Sequence, residues 1–397
     1  MERSVSRYGA RRATIRDVAQ LAAVSVGSVS HVLNGSKSVS EGTRRAVQEA
    51  VKALEYRPNS LARSLIARRP RNDTAPRADR PRLICVGYIS IDYMVSIGQV
   101  PQPGARATSR SIEKMLGGPA ANVAAFAAAL GEPLGVSVEM VTHLGDDADS
   151  LWALEELAAK SIDASGALQQ PGGRLSRCIV LVEETGQRTI INEPFNVPLE
   201  FLARHLSHAT PEAVPACVHF DGFHLSAAEQ VSDELHRAGY QLSLHSAGLP
   251  LARQTLEDAS KLLETFDLIV LSYDVFSHMT QTIPEIQAQP GSLFDLTKRR
   301  RCKTLIVTRG AEGAWLLQPG GAPVKSEAPK VEVVDATGAG DAFTGIFLAS
   351  WLATGDAEEA LSHAVKGASL SITALGAQGR LARARDVGCT SVTEKAL

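Results

Sequence analysis

The stretch ARRPRNDTAPRADRPR, Ala67 to Arg82, divides the chain, because a segment rich in Arg, Pro and Asp and nearly free of large apolar residues has little to bury. Before it, Ala13 to Leu65 is dense in helix signals. After it, apolar runs that read as buried strands (LICVGYISID, RCIVLVEE, CVHFDGFHL, DLIVLS, TLIVTRG) alternate with helical stretches such as NVAAFAAALG and SLWALEELAAK. That alternation predicts an α/β domain, a mostly parallel sheet covered by helices. At 397 residues the chain has room for such a domain and a small helical one.

Charge follows the same division, with 17 Lys and Arg against 7 Asp and Glu up to Arg82, and 24 against 36 beyond it. A basic head on an acidic body suits contact with a polyanion, although a solvated basic arm fits the charge equally well. No apolar run approaches the roughly eighteen residues that span a bilayer, so no membrane partner is expected. The start, MERSVSRYGARRATIRDVAQ, lacks the apolar core of a secretory leader, and a cytoplasmic location is expected. Cys85, Cys178, Cys217, Cys302 and Cys389 have no paired spacing and read as reduced structural thiols. His205 with His208, and His219 with Asp221 and His224, are loosely metal-like, but no cysteine joins them and no metal ligand is assigned.

In TIRDVAQLAAVSVGSVSHVLN, Thr14 can cap a first short helix with Val18, Leu21 and Ala22 on its apolar face. A tight turn at Ala23-Val24 leads to a second helix, capped by Ser25, whose Val29 and Val32 face the first. Val26, Gly27, Ser28, Ser30 and His31 then point outward, small or polar groups able to approach base edges. A generic helical hairpin explains the apolar spacing as well. VSEGTRRAVQEAVKALEYRPNSLARSL adds a third helix, a stop at Tyr56 to Asn59 and a short helix from Ser60 to Leu65. Together these residues resemble the DNA-binding head and hinge helix of the LacI/GalR family. The resemblance implies a dimer on a double-stranded DNA operator, with Val26, Gly27 and His31 reading the major groove and Asn34 and Asn59 on the backbone. It also implies Leu65 as a wedge that kinks the minor groove. Ala23 stands where that family usually has glycine.

In DATGAGDAF, Asp335 to Phe343, the small residues Gly338, Ala339 and Gly340 let backbone N–H groups converge ahead of a helix expected to begin near Asp341. Converging donors at a helix N-terminus suit the charge of a transferring phosphoryl group, and Asp341 can take the proton of an attacking hydroxyl. A helix start with packing glycines is the lesser alternative for the loop alone. GGPAANVAAFAAALG puts Gly117 and Gly118 ahead of a helix carrying Asn122, leaving space and an amide for substrate hydroxyls, although a plain apolar helix with a glycine start fits nearly as well. LICVGYISID reads as one strand ending in Asp92, a carboxylate placed for sugar hydroxyls, although an exposed loop Asp is the more common alternative. LIVTRGAEGAWLL reads as strand, turn, strand, in which Thr308, Gly310 and Gly313 leave room for a nucleotide.

From Leu83 to around Gly379 the order and spacing of these segments resemble the ribokinase (PfkB) family of carbohydrate kinases. The resemblance implies a Rossmann-like ribokinase fold, three-layer α/β/α with a small β lid from segments near Val95 to Met115 and Ser176 to Ile191. An all-α helix-turn-helix domain precedes it, giving expected bounds of 1–66 for the head, 67–82 for the linker and 83–385 for the kinase. Also implied are ATP with Mg²⁺, a monovalent cation such as K⁺ near the last loop, and phosphorylation of a sugar or sugar acid by a homodimer paired through its lids. By position Asp341 becomes the base, Gly338, Ala339 and Gly340 the anion hole, Asp92, Gly118, Asn122 and Asp335 the sugar contacts, and Thr308, Gly310 and Gly313 part of the nucleotide site. One departure stands out. The family's Asn-x-x-Glu motif, tied to Mg²⁺ and phosphate, is here Ser272-Tyr273-Asp274-Val275, with Asp274 the neighbouring carboxylate. That change admits a second reading, a kinase fold that senses sugar or nucleotide without useful turnover.

Overall fold

A computed structural model of the chain describes residues 15–24, 29, 32, 41–54, 80–185, 187–194 and 215–389. The chain divides into two units, Met1–Arg77 and Ala78–Leu397. The expected DNA contacts Thr14, Val26, Gly27, Ser28, Ser30, His31, Asn34, Asn59 and Leu65 lie outside the described residues, as do His205, His208 and residues 67–79 of the expected linker.

In the first unit, α1 (Ile15–Leu21) and α2 (Glu41–Ala53) pack through Val18, Ala19, Val47 and Ala50, joined by Val29 and Val32. Leu21, expected on the apolar face of α1, is instead 54% exposed. Val18, Ala19 and Ala22 define the buried stripe, and at about 100° per residue Leu21 falls about 60° outside it. Ala23 adopts φ +51°, the left-handed conformation that glycine supplies freely and that costs another residue about 1 kcal/mol. The turn is thus not relaxed to suit alanine; alanine takes the conformation of the glycine.

The second unit begins with β1 (Arg82–Val86), β2 (Ser90–Ile97), β3 (Ser111–Gly117), α3 (Pro119–Leu134), β4 (Ser137–Val141), β5 (His143–Leu144) and α4 (Ala148–Ala159). It continues with β6 (Leu168–Gln169), β7 (Arg177–Glu183), β8 (Arg188–Asn192), β9 (Ala216–Asp221), α5 (Leu225–Arg237), β10 (Gln241–His245), α6 (Leu256–Thr265) and β11 (Leu268–Ser272). Then follow α7 (Tyr273–Thr280), α8 (Pro284–Ala288), β12 (Thr304–Thr308), β13 (Ala314–Leu317), β14 (Val324–Ser326), α9 (Ala339–Thr354), α10 (Ala357–Ser371) and α11 (Ala384–Val387). The main sheet runs β14-β13-β12-β11-β10-β9-β1-β4, parallel from β12 to β4 with an antiparallel edge of β13 and β14.

Alternation along the strands builds two cores. Leu83, Cys85, Val138, Met140 and Cys217 pack on one face with α3, α9 and α10, while Ile84, Val86, Val218, Phe220, Leu242 and Leu244 pack on the other with α5, α6 and α7. This is the three-layer arrangement expected. Alanines of α3 let α9 approach so closely that a Cβ on Gly345 would overlap the Val123 carbonyl. Phe126 and Phe347, both fully buried there, each contribute about 2–3 kcal/mol by leaving water.

A separate four-stranded sheet, β3-β2-β7-β8, forms the lid. One of its faces packs through Met94, Cys178 and Val180, with Leu375 against them. All five cysteines are free. Among the described residues no helix is long and apolar enough to cross a membrane.

Candidate active site

The parallel strands of the main sheet share one carboxyl edge, where open α/β sheets place their ligands. At that edge the expected single strand LICVGYISID breaks in two. Gly87 takes φ +149°, and the Tyr88 N–H donates to Asp221 Oδ2 at 2.7 Å, a position from which any Cβ on Gly87 would be expelled. Asp92 is therefore not at the end of the first strand. It lies in β2, so its carboxylate reaches the site from the lid.

Asp92 is 9% exposed, and its Oδ1 accepts from Ser90 Oγ at 2.6 Å. Burial pushes its carboxyl up to about 6, the Ser90 bond opposes that shift, and the negative charge of Asp341 adds to it. The space left by the two glycines is taken by this arrangement rather than left for substrate. A Cβ on Gly117 would overlap the Asp92 carboxylate, and one on Gly118 (φ +94°) would overlap the Tyr88 carbonyl and lie 2.7 Å from Ile89 Cα.

Helix α9 begins at Ala339, two residues ahead of the expected start. Gly338 is its N-cap at φ +72°, and no side chain caps the first turn. A Cβ on Gly338 would lie 2.7 Å from that of Ala377, whereas one on Gly340 would meet nothing within 4 Å. The Ala339 N–H donates to the Ala336 carbonyl at 3.4 Å and the Ala342 N–H to the Gly338 carbonyl at 2.8 Å, which leaves the Gly340 and Asp341 amides beside the open space at Gly340, as an anion site needs.

Asp341, 7% exposed, stands beside them. Its Oδ2 accepts from Asn122 Nδ2 at 2.8 Å, and its Oδ1 lies 3.1 Å from His245 Nε2. Asn122 Oδ1 in turn accepts from Gln378 Nε2 at 2.9 Å, while Gln378 Oε1 is buried without a hydrogen-bond partner.

Asp335, expected as a sugar contact, has both carboxylate oxygens bonded within the protein. Oδ1 accepts from the Thr337 N–H at 2.9 Å and the Thr337 hydroxyl at 2.6 Å, and Oδ2 accepts from the Gly376 N–H at 2.8 Å. Arg188 of the lid strand β8 adds an ion pair at 3.3 Å and donates to the Thr337 hydroxyl. Asp335 thus ties the anion loop both to the Gly376 turn and to the lid.

On the nucleotide side, Gly310 (φ +56°) faces open space, but a Cβ on Gly313 (φ +84°) would overlap the Ser326 carbonyl. Gly313 therefore sets the close approach of β14, and the room expected from it lies at Gly310. Thr308 Oγ1 donates to the Leu271 carbonyl at 3.4 Å. The Arg309 guanidinium stacks on Trp315 at 4.2 Å and on Tyr273 at 5.2 Å. Ser272 caps α7 by accepting the Val275 N–H at 3.3 Å; Val275 is packed into the core and Asp274 is exposed.

The structure thus gathers Asp92, Asn122, Asp341 and the Gly338–Gly340 turn. It adds three residues that sequence reasoning missed, Arg188, His245 and Gln378, and His219, which was weighed there only as a loose metal candidate. GAGD marks Asp341 and its turn as a contiguous motif, but each of these is a single residue brought in from a distant segment. Among the described residues, no group of three or more His, Cys, Asp or Glu is placed to hold a metal ion.

A family model described as "pfkB family carbohydrate kinase" matches residues 80–383, and one described as "Bacterial regulatory proteins, lacI family" matches residues 14–59. An ATP-dependent ribose-1-phosphate kinase of Halopiger xanaduensis is 26% identical over 287 residues, 71% of this chain and 89% of that protein. The transcriptional repressor PurR of Aliivibrio fischeri is 57% identical over 53 residues, 13% of this chain and only 16% of the repressor, so that likeness is to the head alone. Among solved structures, ribokinase from Thermotoga maritima superposes with a TM-score of 0.63 at 21% identity, covering 78% of this chain and 98% of its own. Arabidopsis thaliana ribokinase complexed with ribose and ATP gives 0.61 at 23%, covering 78% and 97%. With the sheet, lid and anion turn already in place, these matches settle the family: the chain belongs to the pfkB family of carbohydrate kinases and carries, ahead of that domain, a helix-turn-helix segment of the LacI family.

Proposed function

We propose that the chain is a sugar-responsive transcriptional regulator whose kinase domain transfers the γ-phosphoryl group of ATP to a hydroxyl of a sugar or sugar acid. The observation that carries this reading is Asp341, held by Asn122 at 2.8 Å in the first turn of a helix whose amides no side chain caps. The hydroxyl oxygen forms a bond to the γ-phosphorus as the bond to the departing ADP breaks, and the hydroxyl proton passes to Asp341. The Gly338, Ala339 and Gly340 backbone stabilises charge on the transferring group. Asp92 and Asn122 bind sugar hydroxyls, the Gly118 backbone supports them, and Asp335 acts from behind through Arg188. The unpartnered Gln378 Oε1 beside Asn122 is an acceptor suited to one more hydroxyl.

The Thr308 to Gly310 turn would hold the nucleotide. The uncapped turn at Gly338 fits phosphate, and the sparse carboxylates nearby fit a Mg²⁺ held chiefly by phosphates and water, with Asp274 the nearest protein carboxylate in the turn that carries the family motif. Bound there, Mg²⁺ would neutralise charge between the β- and γ-phosphates. A monovalent cation such as K⁺ near the last loop belongs to the same reading.

The head, over 1–66 and joined through 67–82 to the kinase at 83–385, binds double-stranded operator DNA through Val26, Gly27, Ser28, Ser30 and His31. Thr14, Asn34 and Asn59 hold the backbone, and Leu65 enters the minor groove. A homodimer is supported by the outer lid face, where Ile179 and Ile191 pair across two strands at 42% and 59% exposure and Ile112, on the same face two positions along the sheet, is 63% exposed. If sugar changes operator affinity, operator changes sugar affinity by the same factor.

The deciding experiment is ADP release across pentoses, hexoses and keto-deoxy sugar acids, with Asp341→Asn as control. Turnover of one sugar, lost in the variant, supports the reading; none with any sugar removes it. The buried Val275 favours a second reading, a sensor without useful turnover. Calorimetry showing sugar binding in the absence of turnover would select it.

A further inference from the structure

Beneath α9 two neighbouring strands of the sheet carry a line of polar side chains. Cys217 and His219 of β9 and Ser243 and His245 of β10 alternate with Val218, Phe220, Leu242 and Leu244 of the opposite core, so all four point toward α9, and strand pairing sets Ser243 beside His219. His219 is fully buried and His245 is 3% exposed. Their side chains form one line. Cys217 Sγ lies 3.3 Å from Ser243 Oγ, which lies 2.8 Å from His219 Nδ1. His219 Nε2 lies 2.9 Å from His245 Nδ1, and His245 Nε2 lies 3.1 Å from Asp341 Oδ1.

The carboxylate end sets the direction of this line. An ionised carboxylate only accepts, so His245 Nε2 carries the hydrogen and, in the neutral ring, Nδ1 accepts. His219 then donates from Nε2 and accepts at Nδ1 from the Ser243 hydroxyl, which accepts from the Cys217 thiol. Burial, and after it the neighbouring His245, hold His219 well below the usual imidazole range. Burial pushes the Cys217 thiol up to about 12, and that residue is fully enclosed. The far end neither takes up nor releases a proton near neutral pH, so the line is no exit for the proton that Asp341 accepts. What it can do is fix a tautomer.

We propose that His245 is a positioning residue for Asp341, locked by His219 and Ser243 as the neutral Nε2-protonated tautomer so that one carboxylate oxygen is held by His245 and the other by Asn122. Held from both sides, the carboxylate keeps its remaining lone pairs in one direction for the incoming hydroxyl. A neutral donor orients the base without the loss of basicity that a cation would impose. The inference deepens the kinase reading and rests on Asp341 as its base.

Two measurements on the full chain test it. Nitrogen-15 spectra of the imidazoles at neutral pH should show His219 and His245 each protonated at Nε2 alone; a His245 protonated at Nδ1, or at both nitrogens, overturns the proposal. That spectrum needs no turnover, so a chain that phosphorylates no sugar would sink the kinase reading while the tautomer lock is still judged. With turnover, His245→Leu should lower kcat about 30-fold with KM changed less than about threefold, and His245→Gln, which keeps an N–H at similar reach, should restore kcat to within about fivefold of wild type. Equal losses in the two variants, or a kcat untouched by His245→Leu, would show that packing and not the donor matters, and would overturn it.

Discussion

The two ends of the site are built differently. At the acceptor end every functional side chain is held: Asp341 by Asn122 and His245, Asn122 by Gln378, Asp92 by Ser90, and Asp335 by Thr337, Gly376 and Arg188. At the donor end, Gly310 faces open space, Asp274 is exposed, and the position of the family's glutamate is a core valine. Groups that must direct a proton need fixed geometry, because a small misplacement raises the barrier steeply. Groups that bind a polyphosphate with its metal need less, since the ligand brings its own charge and coordination. The difference predicts that substitutions at the acceptor end act on the chemical step, and those at the donor end act mildly on nucleotide or metal affinity.

The sharpest way to break that contrast is Asp341→Asn. We expect kcat to fall about 10³-fold, the scale of a lost general base, with sugar affinity by calorimetry kept within about threefold. A variant retaining a tenth of wild-type turnover would mean the proton goes elsewhere. Next comes Arg188→Ala, which removes the lid's partner for Asp335. Arg188 is one-quarter exposed, so solvent discounts the pair, and a loss of about 2 kcal/mol, or roughly 30-fold in kcat/KM, is expected for both sugar and ATP. An effect confined to ATP would place Arg188 at the donor end.

The same contrast explains what could be read without a structure. Asp341 and the glycine turn beside it are contiguous in DATGAGDAF, and the strand and helix periods of the second unit follow from alternation, so their places in the fold were legible. Asp92 was legible as a residue but not in its place. The break at Gly87 depends on the carboxylate of Asp221, far along the chain, and it moves Asp92 from the main sheet into the lid. Asp335 was expected among the sugar contacts, and its ties to Arg188 and Gly376 were not legible because those partners lie on segments remote in sequence. His245 is one residue in a strand and meets Asp341 only once α9 covers the sheet. Glycines signalled space in the sequence; packing decides whether ligand or protein fills it, and at Gly117, Gly118 and Gly313 it is protein.

The pH dependence separates the two ends more gently. The Asp92 carboxyl is pushed up to about 6, so it binds a proton as pH falls through that value and loses its strength as an acceptor for sugar hydroxyls. The sugar KM should therefore rise on acidification, by about tenfold at pH 5, while the ATP KM measured in the same buffers stays level. A sugar KM that is flat between pH 7.5 and 5, roughly one unit or more on either side of the Asp92 value, would remove Asp92 from sugar binding.

The smallest effect belongs to Asp274→Asn, and it bears on whether the donor end is degraded or only loosely built. Ser272 caps α7 by accepting the Val275 N–H, which turns Val275 into the core beside Phe276 and leaves Asp274 in the exposed first turn. From there a carboxylate can reach a metal through water but cannot enclose it. Its removal should raise the Mg²⁺ concentration for half-maximal rate by about threefold and leave the kcat at saturating Mg²⁺ within about twofold. A tenfold or larger loss of kcat that added Mg²⁺ does not recover would show that Asp274 has taken over the missing glutamate's work, and the contrast between a held acceptor end and a loose donor end would no longer describe this site.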